Sequence, residues 1–490
     1  MMKKLLLMLT AFFLAQANAQ QLELAADINT DGYAFSQFNS RPSGFTEFNN
    51  KLYFSARGPK TGQELFSYDG TDVELVADIN QGLSGLNYDN SYPKKLTVIN
   101  NKLYFIATQA NDSAYLYSYD GTGVPTVITK LETQANYAGN VDLISFNNKI
   151  YFDTYNSVAD MRTIWEYDGT NTPSVLLTEA STSISYGYRA FIELAGKLYF
   201  YKNGTQAFNS RYYVYDGVNP PSTAPNSSSI FNPTDGAIVY NNKIYFNSYE
   251  NQGNTTGYEL WSYDGVNVPS VVNDINPGSA GSYPGGFVVF NNKLHFTADD
   301  GASGRELWHY DGATISMVAD INTSGASGPS YLTVHNSKLY FVATDGLVGS
   351  ELFEYDGTSS PSLTTEMIAG VDDGQIKYLT SFQNELIFAA TDGTVAEEPY
   401  KYDGTSISLV ANIFDGSNGS LPRYMTEYKG KIYFSAFGDS ENGVELYSYD
   451  GVNAELVADL DTAHLAQFGA GSSSQPSNLF VFNDFLYFKA

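Results

Sequence analysis

The chain is expected to be an all-β protein, a β-propeller-like repeat architecture of about ten four-stranded units with the last unit incomplete. Three observations lead to this expectation. An aromatic residue followed by Asp-Gly recurs nine times, from Tyr68-Asp69-Gly70 to Tyr449-Asp450-Gly451, at steps of 45 to 51 residues. A second phrase keeps the same period, as in Lys51-Leu52-Tyr53-Phe54, Lys197-Leu198-Tyr199-Phe200 and Lys338-Leu339-Tyr340-Phe341, with weaker copies at Glu385-Leu386-Ile387-Phe388 and Phe485-Leu486-Tyr487-Phe488. Between these phrases lie short apolar runs and turn residues, with no helical stretch of useful length. Even spacing of this kind means one supersecondary unit copied along the chain, each copy needing its neighbours to bury its faces. Four strands in ~47 residues is the dimension of a propeller blade.

The unit from Asp274 to Ala319 shows the elements in order. Asp274 to Pro284 is turn chemistry, since Gly supplies unusual backbone angles and Pro fixes one. Phe287 to Phe290 is a first strand, which Asn291-Asn292 turns into a second, Lys293 to Ala298, as a hairpin. Asp299 to Gly304 forms the next loop, and Glu306 to Tyr310 is the third strand. Asp311-Gly312 then turns the chain into a fourth strand, Ile315 to Ala319. In the second strand, alternation puts Leu and Phe on one face and Tyr on the other, so both faces are apolar and the strand must be sandwiched between neighbours.

The phase of the ends argues for closure. Leu22 to Asn29 matches the fourth-strand phrase Val73 to Asn80, and the chain stops after the second strand of a tenth unit. Leu22 to Ile28 is therefore expected to complete that last blade and fasten a ring, removing open sheet edges. The missing third strand reads as a small last blade or a shortened coding sequence. Ten blades exceeds the usual four to eight, so one large ring, two smaller rings and a solenoid are all compatible with the period. A seam between two rings would fall near 219–235, where Pro220-Pro221-Ser222 and its neighbours replace the Asp-Ile-Asn phrase, within a stretch of less regular units from Thr129 to Val272.

Lys3 and Lys4 before an apolar run from Leu5 to Ala15, then Ala17-Asn18-Ala19, read as a secretory signal peptide over residues 1–19. Residues 20–490 form the repeat domain, with no transmembrane anchor, because an 11-residue run is too short to span a bilayer and no later stretch approaches ~20 apolar residues. The chain has no cysteine, which excludes disulfides and thiol catalysis. Its 53 acidic against 26 basic side chains give a net charge of -27, which excludes nucleic acid as a natural partner. Such loops either keep a secreted protein soluble or face divalent cations, a cationic partner or a carbohydrate.

Candidate chemistry is sparse. Asp27, Asn29 and Asp31 alternate before Gly32 as in the first positions of a calcium loop, although Phe38 stands where that loop would need Glu. They are the candidate metal ligands, for Ca2+; the competing reading is that Asp and Asn bond to nearby backbone N–H groups and shape the loop between blades. The Asp-Gly aspartates are expected to be turns. Glu397-Glu398 and Asp299-Asp300 are adjacent acids with no spacing that marks an acid/base pair, and no nucleophile elbow or phosphate-binding loop is present. Four histidines leave little material for zinc, and His295 occupies the place of Tyr245 and Tyr340. Most of the 39 Tyr, 31 Phe and 3 Trp should pack between blades, the rest serving as surface anchors for sugar rings or protein partners.

At Glu259-Leu260-Trp261-Ser262-Tyr263-Asp264-Gly265 and Glu306-Leu307-Trp308-His309-Tyr310-Asp311-Gly312 the chain resembles bacterial secreted proteins built from the ELWxxDGT repeat, over nearly all of its length after the leader. The Trp becomes Phe66, Phe353 or Tyr447 in other copies, and the Glu is lost at Ala114-Tyr115 and Thr163. The resemblance implies export or display at a bacterial cell surface, often by the type IX route, and implies no defined enzymatic activity. The expected function is a secreted, non-enzymatic binding or adhesion module for a glycan or surface protein. The alternative is a polysaccharide-cleaving hydrolase or lyase on a propeller scaffold.

Overall fold

Asparagine pairs set the first hairpin of the repeat. Asn49-Asn50, Asn100-Asn101, Asn147-Asn148, Asn241-Asn242 and Asn291-Asn292 all take left-handed backbone angles, with φ between 44° and 59°. Two such residues in succession make the tight turn whose twist matches that of paired strands. The computed structural model describes residues 43–58, 61–69, 72–84, 87–109, 113–132, 143–156, 159, 161–180, 188–202, 211–223, 236–249, 256–414, 419–438, 444–458, 477–482 and 485–489.

The sixth blade follows the sequence reading closely, as Gly285–Phe290, Lys293–Asp299, Arg305–Tyr310 and Ile315–Ala319, each strand antiparallel to the last. Nine such four-stranded sheets follow one another, and a tenth contains Ser477–Phe482 and Phe485–Lys489 among the described residues. The irregular stretch after Thr129 folds in the same way: the third blade is Ile144–Phe146, Lys149–Asn156, Met161–Tyr167 and Ser174–Ala180. No helix among the described residues is long and apolar enough to cross a membrane.

Neighbouring sheets approach one another through their first strands. Gly285–Phe290 lies beside Ser330–His335, which lies beside Lys377–Phe382, which in turn lies beside Arg423–Tyr428. Ser43–Phe48 of the first blade lies beside Ser477–Phe482 of the tenth, so the series returns on itself. First strands therefore converge on an axis and fourth strands face outward, in keeping with the half-exposed pattern of Val73–Ala77. The segment Leu22 to Ile28, expected to complete the tenth blade, lies outside the described residues.

The two repeated phrases meet each other across blade junctions. Tyr53 packs edge-on against Tyr119 of the next blade at 5.7 Å between ring centroids, Tyr104 against Tyr167 at 6.1 Å, Tyr151 against Tyr215 at 5.7 Å, Tyr199 against Tyr263 at 5.4 Å and Tyr340 against Tyr402 at 5.8 Å. Each pair contributes ~0.5–1.5 kcal/mol beyond the area it buries. Leu and Phe of the same strand face the other way: Leu294 and Phe296 pack with Tyr240, Tyr245 and Leu260 of the preceding blade. Both faces of the second strand are thus buried, as the alternation requires.

Candidate functional site

The glutamate of the Glu-Leu-Trp phrase is the most deeply buried acid of the repeat. Glu64, Glu259, Glu306, Glu351, Glu398 and Glu445 are each 0% exposed. In the sixth blade Glu306 accepts from the backbone N–H of Ile321 at 3.1 Å, from the N–H of Ser327 at 2.8 Å and from the Ser327 hydroxyl. Glu259 does the same with Ile275 and Ser282, Glu64 with Ile79 and Ser91, and Glu398 with Ile413 and Ser420. That serine opens the next blade, where its carbonyl accepts from the end of the second strand: Ser327 from Thr344 at 3.0 Å, Ser282 from Asp299 at 2.9 Å. One residue is thereby bonded to two blades, and the glutamate is the clamp that holds it.

Burial pushes the carboxyls of Glu64, Glu259, Glu306, Glu351 and Glu398 up, against the pull of their hydrogen bonds. Glu64 rises to about 7, and so does Glu351, whose partner serine is replaced by Gly374 and whose charge is supported by the Met367 and Ile368 N–H groups. Where the glutamate is lost, the sheet is tied differently. In the third blade Arg162, 0% exposed, forms an ion pair with Asp153, at the two places where the first blade has Gln63 bonded to Ser55 at 3.1 Å.

The Asp-Gly aspartates are turn formers, as expected. Asp356 accepts from the N–H groups of Thr358 and Ser359 at 2.7 and 2.8 Å, and Asp264 from Val266 and Asn267 at 2.9 and 2.8 Å. Those hydrogen bonds hold the Asp356 carboxyl well below the usual range. The adjacent acids singled out in the sequence are used the same way. Asp299 and Asp300 accept from the N–H groups of Gly301 and of Ala302 and Ser303. Glu398 is a clamp, and Glu397 is paired with Lys377 at 2.7 Å and with Arg423; burial raises Glu397, but these two cations outweigh it and hold the carboxyl low.

The candidate calcium ligands Asp27, Asn29 and Asp31 lie outside the described residues. In later copies of that loop the asparagine amide closes the turn by donating to a carbonyl: Asn80 to Asn90 at 2.9 Å, Asn276 to Gly281 at 3.1 Å and Asn322 to Ala326 at 3.0 Å. Among the described residues no group of three His, Asp or Glu side chains is arranged to hold a metal. His295 is a core residue: it is 0% exposed and packs on Tyr355 of the next blade and on His309 across its own sheet, at 5.8 and 5.7 Å. Burial and the neighbouring His309 push its imidazole down to about 4.

Sequence reasoning passed over two sets of residues. The clamp glutamates were legible only as part of a phrase, although four of them are followed by a serine 21 to 27 residues on, from Glu306 and Ser327 at 21 to Glu64 and Ser91 at 27. The other set is Tyr331, Tyr378 and Tyr424, exposed on first strands, whose signal was a tyrosine two residues before a threonine in three consecutive units.

No family model matches the chain, and no curated protein matches it. Solved structures with a similar course of chain include the β-propeller domain of the Trilobed protease from Pyrococcus furiosus, described as having an open velcro topology, at 13% identity over 66% of this chain and 97% of that one, with a TM-score of 0.30. A prolyl endopeptidase structure is similar at 13% identity over 74% of this chain and 54% of that one, with a TM-score of 0.37. Oligopeptidase B from Leishmania major is similar at 10% identity over 74% and 52%, with a TM-score of 0.35. This chain therefore spans about half the length of the two peptidases.

Proposed function

We propose that the chain is an exported binding or adhesion module of the ELWxxDGT-repeat type, displayed at or released from a bacterial surface, that recognises a glycan or a surface protein and performs no catalysis. The observation that supports this reading is the employment of the acids. The buried Glu of each well-described clamp is saturated by backbone N–H and serine donors, and the aspartates of the Asp-Gly turns by their own turns. A ring held in this way is a rigid scaffold, and rigid scaffolds with variable edges suit recognition. Calcium at Asp27, Asn29 and Asp31 belongs to the same reading; it is tested by melting with and without calcium, which should raise the transition of the wild type and not that of Asp31→Ala.

The deciding experiment sets a glycan and surface-protein array beside a turnover screen on neutral and acidic polysaccharides. Binding without turnover is the expected result. Turnover abolished by one carboxylate substitution overturns the proposal in favour of a polysaccharide-cleaving hydrolase or lyase.

A further inference from the structure

The first strand of the blade carries a bulge at a constant place. Its pairing with the second strand slips between Ser43 and Thr46, Lys94 and Thr97, Gly285 and Val288, Ser330 and Thr333, Lys377 and Thr380, and Arg423 and Thr426. The first bulged residue is left-handed in every one of these: Gly44, Lys95, Gly286, Tyr331, Tyr378 and Tyr424, with φ from 54° to 71°. A threonine two residues on braces the bulge by donating to that residue's carbonyl, as Thr333 does to Tyr331 at 2.9 Å, Thr380 to Tyr378 at 2.9 Å and Thr426 to Tyr424 at 3.0 Å.

Glycine is the residue this conformation favours, and the first and sixth blades use it. The seventh, eighth and ninth blades place tyrosine there instead, a bulky side chain in a backbone state it resists. These tyrosines do not repay the strain by packing, since Tyr331, Tyr378 and Tyr424 are 46%, 41% and 57% exposed while the repeat tyrosines of the core are under 10%. Strain without packing directs attention to what the exposed rings meet.

They stand on three successive first strands, the strands that converge on the axis, so they form an arc on the inner wall of the ring. The rings of Tyr331 and Tyr378 are 6.5 Å apart, and the Arg423 guanidinium lies 5.0 Å over Tyr378. The cations beside the arc are already engaged: Arg423 and Lys377 are both paired with Glu397. The arc thus offers aromatic faces with hydroxyl edges and no uncommitted charge from those two cations, on a chain of net charge -27 that repels polyanions and draws polycations to its acidic loops instead.

We infer that Tyr331, Tyr378 and Tyr424 form a binding track for a neutral polysaccharide, whose sugar rings stack on the tyrosine faces while the hydroxyls supply hydrogen bonds. This inference rests on the reading of the chain as a binding module and names its site and ligand class.

The test uses the full chain, with neutral hexasaccharides of glucose, mannose and xylose, an oligogalacturonate and an oligolysine peptide as calorimetric probes. Tyr331→Gly, Tyr378→Gly and Tyr424→Gly keep a residue that the bulge already accepts at Gly44 and Gly286, so the variants remain folded, which a cooperative melting transition no lower than that of the wild type verifies. At least one neutral hexasaccharide should bind the wild type, each single variant should weaken it about tenfold, and the triple variant should abolish it. Equal binding by wild type and triple variant overturns the tyrosine track while leaving the binding module standing. Binding only of oligogalacturonate or oligolysine overturns the ligand class. Absence of binding to every probe and to the array overturns the track and the binding reading together.

Discussion

Replacing His295 by the tyrosine that other blades carry should remove an acid-labile point from the ring. His295 is fully enclosed between the sixth and seventh blades, and neither ring nitrogen makes a hydrogen bond of ordinary geometry among the described residues. Burial, then repulsion from His309, lowers its pKa from 6.5 to about 4, with Lys293 adding to the repulsion. A lowered histidine pKa means that the unfolded chain takes up a proton which the folded chain refuses. Above pH 6.5 neither state is protonated and the residue gives no pH dependence. Between pH 6.5 and about 4 stability falls, and the loss reaches about 3 kcal/mol near pH 4, at ~1.4 kcal/mol per pKa unit. Buried carboxyls act in the opposite sense: Glu64 and Glu351, raised to about 7, favour the folded state as pH falls from 7 toward 4.5, so the wild-type profile alone is a mixture. The difference between wild type and His295→Tyr isolates the histidine. Tyrosine also brings a hydroxyl that can reach the next Asp-Gly turn, as Tyr199 reaches the Gly265 carbonyl at 3.4 Å. Urea unfolding followed by fluorescence at pH 7, 5.5 and 4 measures the effect. The variant should gain on the wild type by about 3 kcal/mol between pH 7 and pH 4; a gap that stays constant across that range refutes the reasoning.

Further outcomes follow from the same geometry. Glu306→Ala strips the acceptor from the N–H groups of Ile321 and Ser327 and from the Ser327 hydroxyl, and at ~1–3 kcal/mol per buried orphan it should lower the stability of the ring by several kcal/mol in denaturant titration. Arg162→Gln alone leaves Asp153 buried with its charge unbalanced and should cost ~3–5 kcal/mol, whereas Arg162→Gln with Asp153→Ser, copying Gln63 and Ser55, should recover most of that loss. Tyr378→Gly relieves a left-handed residue at φ 60° and should leave the melting temperature unchanged or raise stability by ~1 kcal/mol, even as it removes a ring that would otherwise count as a contact. Asp356→Ala removes the acceptor for Thr358 and Ser359; because the Asp356 pKa is lowered, its contribution is present above the ordinary aspartate range and fades as pH drops through the folded value, so wild type and variant should converge in strong acid.

The parts of the fold that follow local rules were legible in the chain. Asn291-Asn292 announces a hairpin because two left-handed residues are needed there, and Asp311-Gly312 announces the turn into Ile315–Ala319 because the aspartate bonds its own backbone. The first strand of that blade begins at Gly285 rather than Phe287, since Gly285 pairs with Thr297 on the far side of the bulge at Gly286, a feature decided by the partner strand. Glu306 was hidden for a different reason: a carboxylate reads as surface, and only the folded chain brings the N–H groups of Ile321 and Ser327 around it. Tyr331 was hard to pick out among the many core tyrosines, because the threonine two residues on was its one signal and states neither its backbone angle nor its exposure. Asp27, Asn29 and Asp31 were conspicuous for the converse reason, being oxygen-rich and alternating, and the described copies of their loop show the asparagine donating its amide to a carbonyl.

The serine shared by two blades bears on how a protein of this kind can change size. Because Ser91, Ser282, Ser327 and Ser420 each make the same bonds backward to a glutamate and forward to the following second strand, those four junctions are chemically interchangeable. A recombination that duplicates or deletes one period between two such junctions regenerates an equivalent junction on either side. What then limits the number of blades is angular: the wedge each aromatic pair fills must still sum to a full circle. Copy number can drift in a lineage while the parts list stays constant, and the blade that is gained or lost carries its own inner-wall side chain with it.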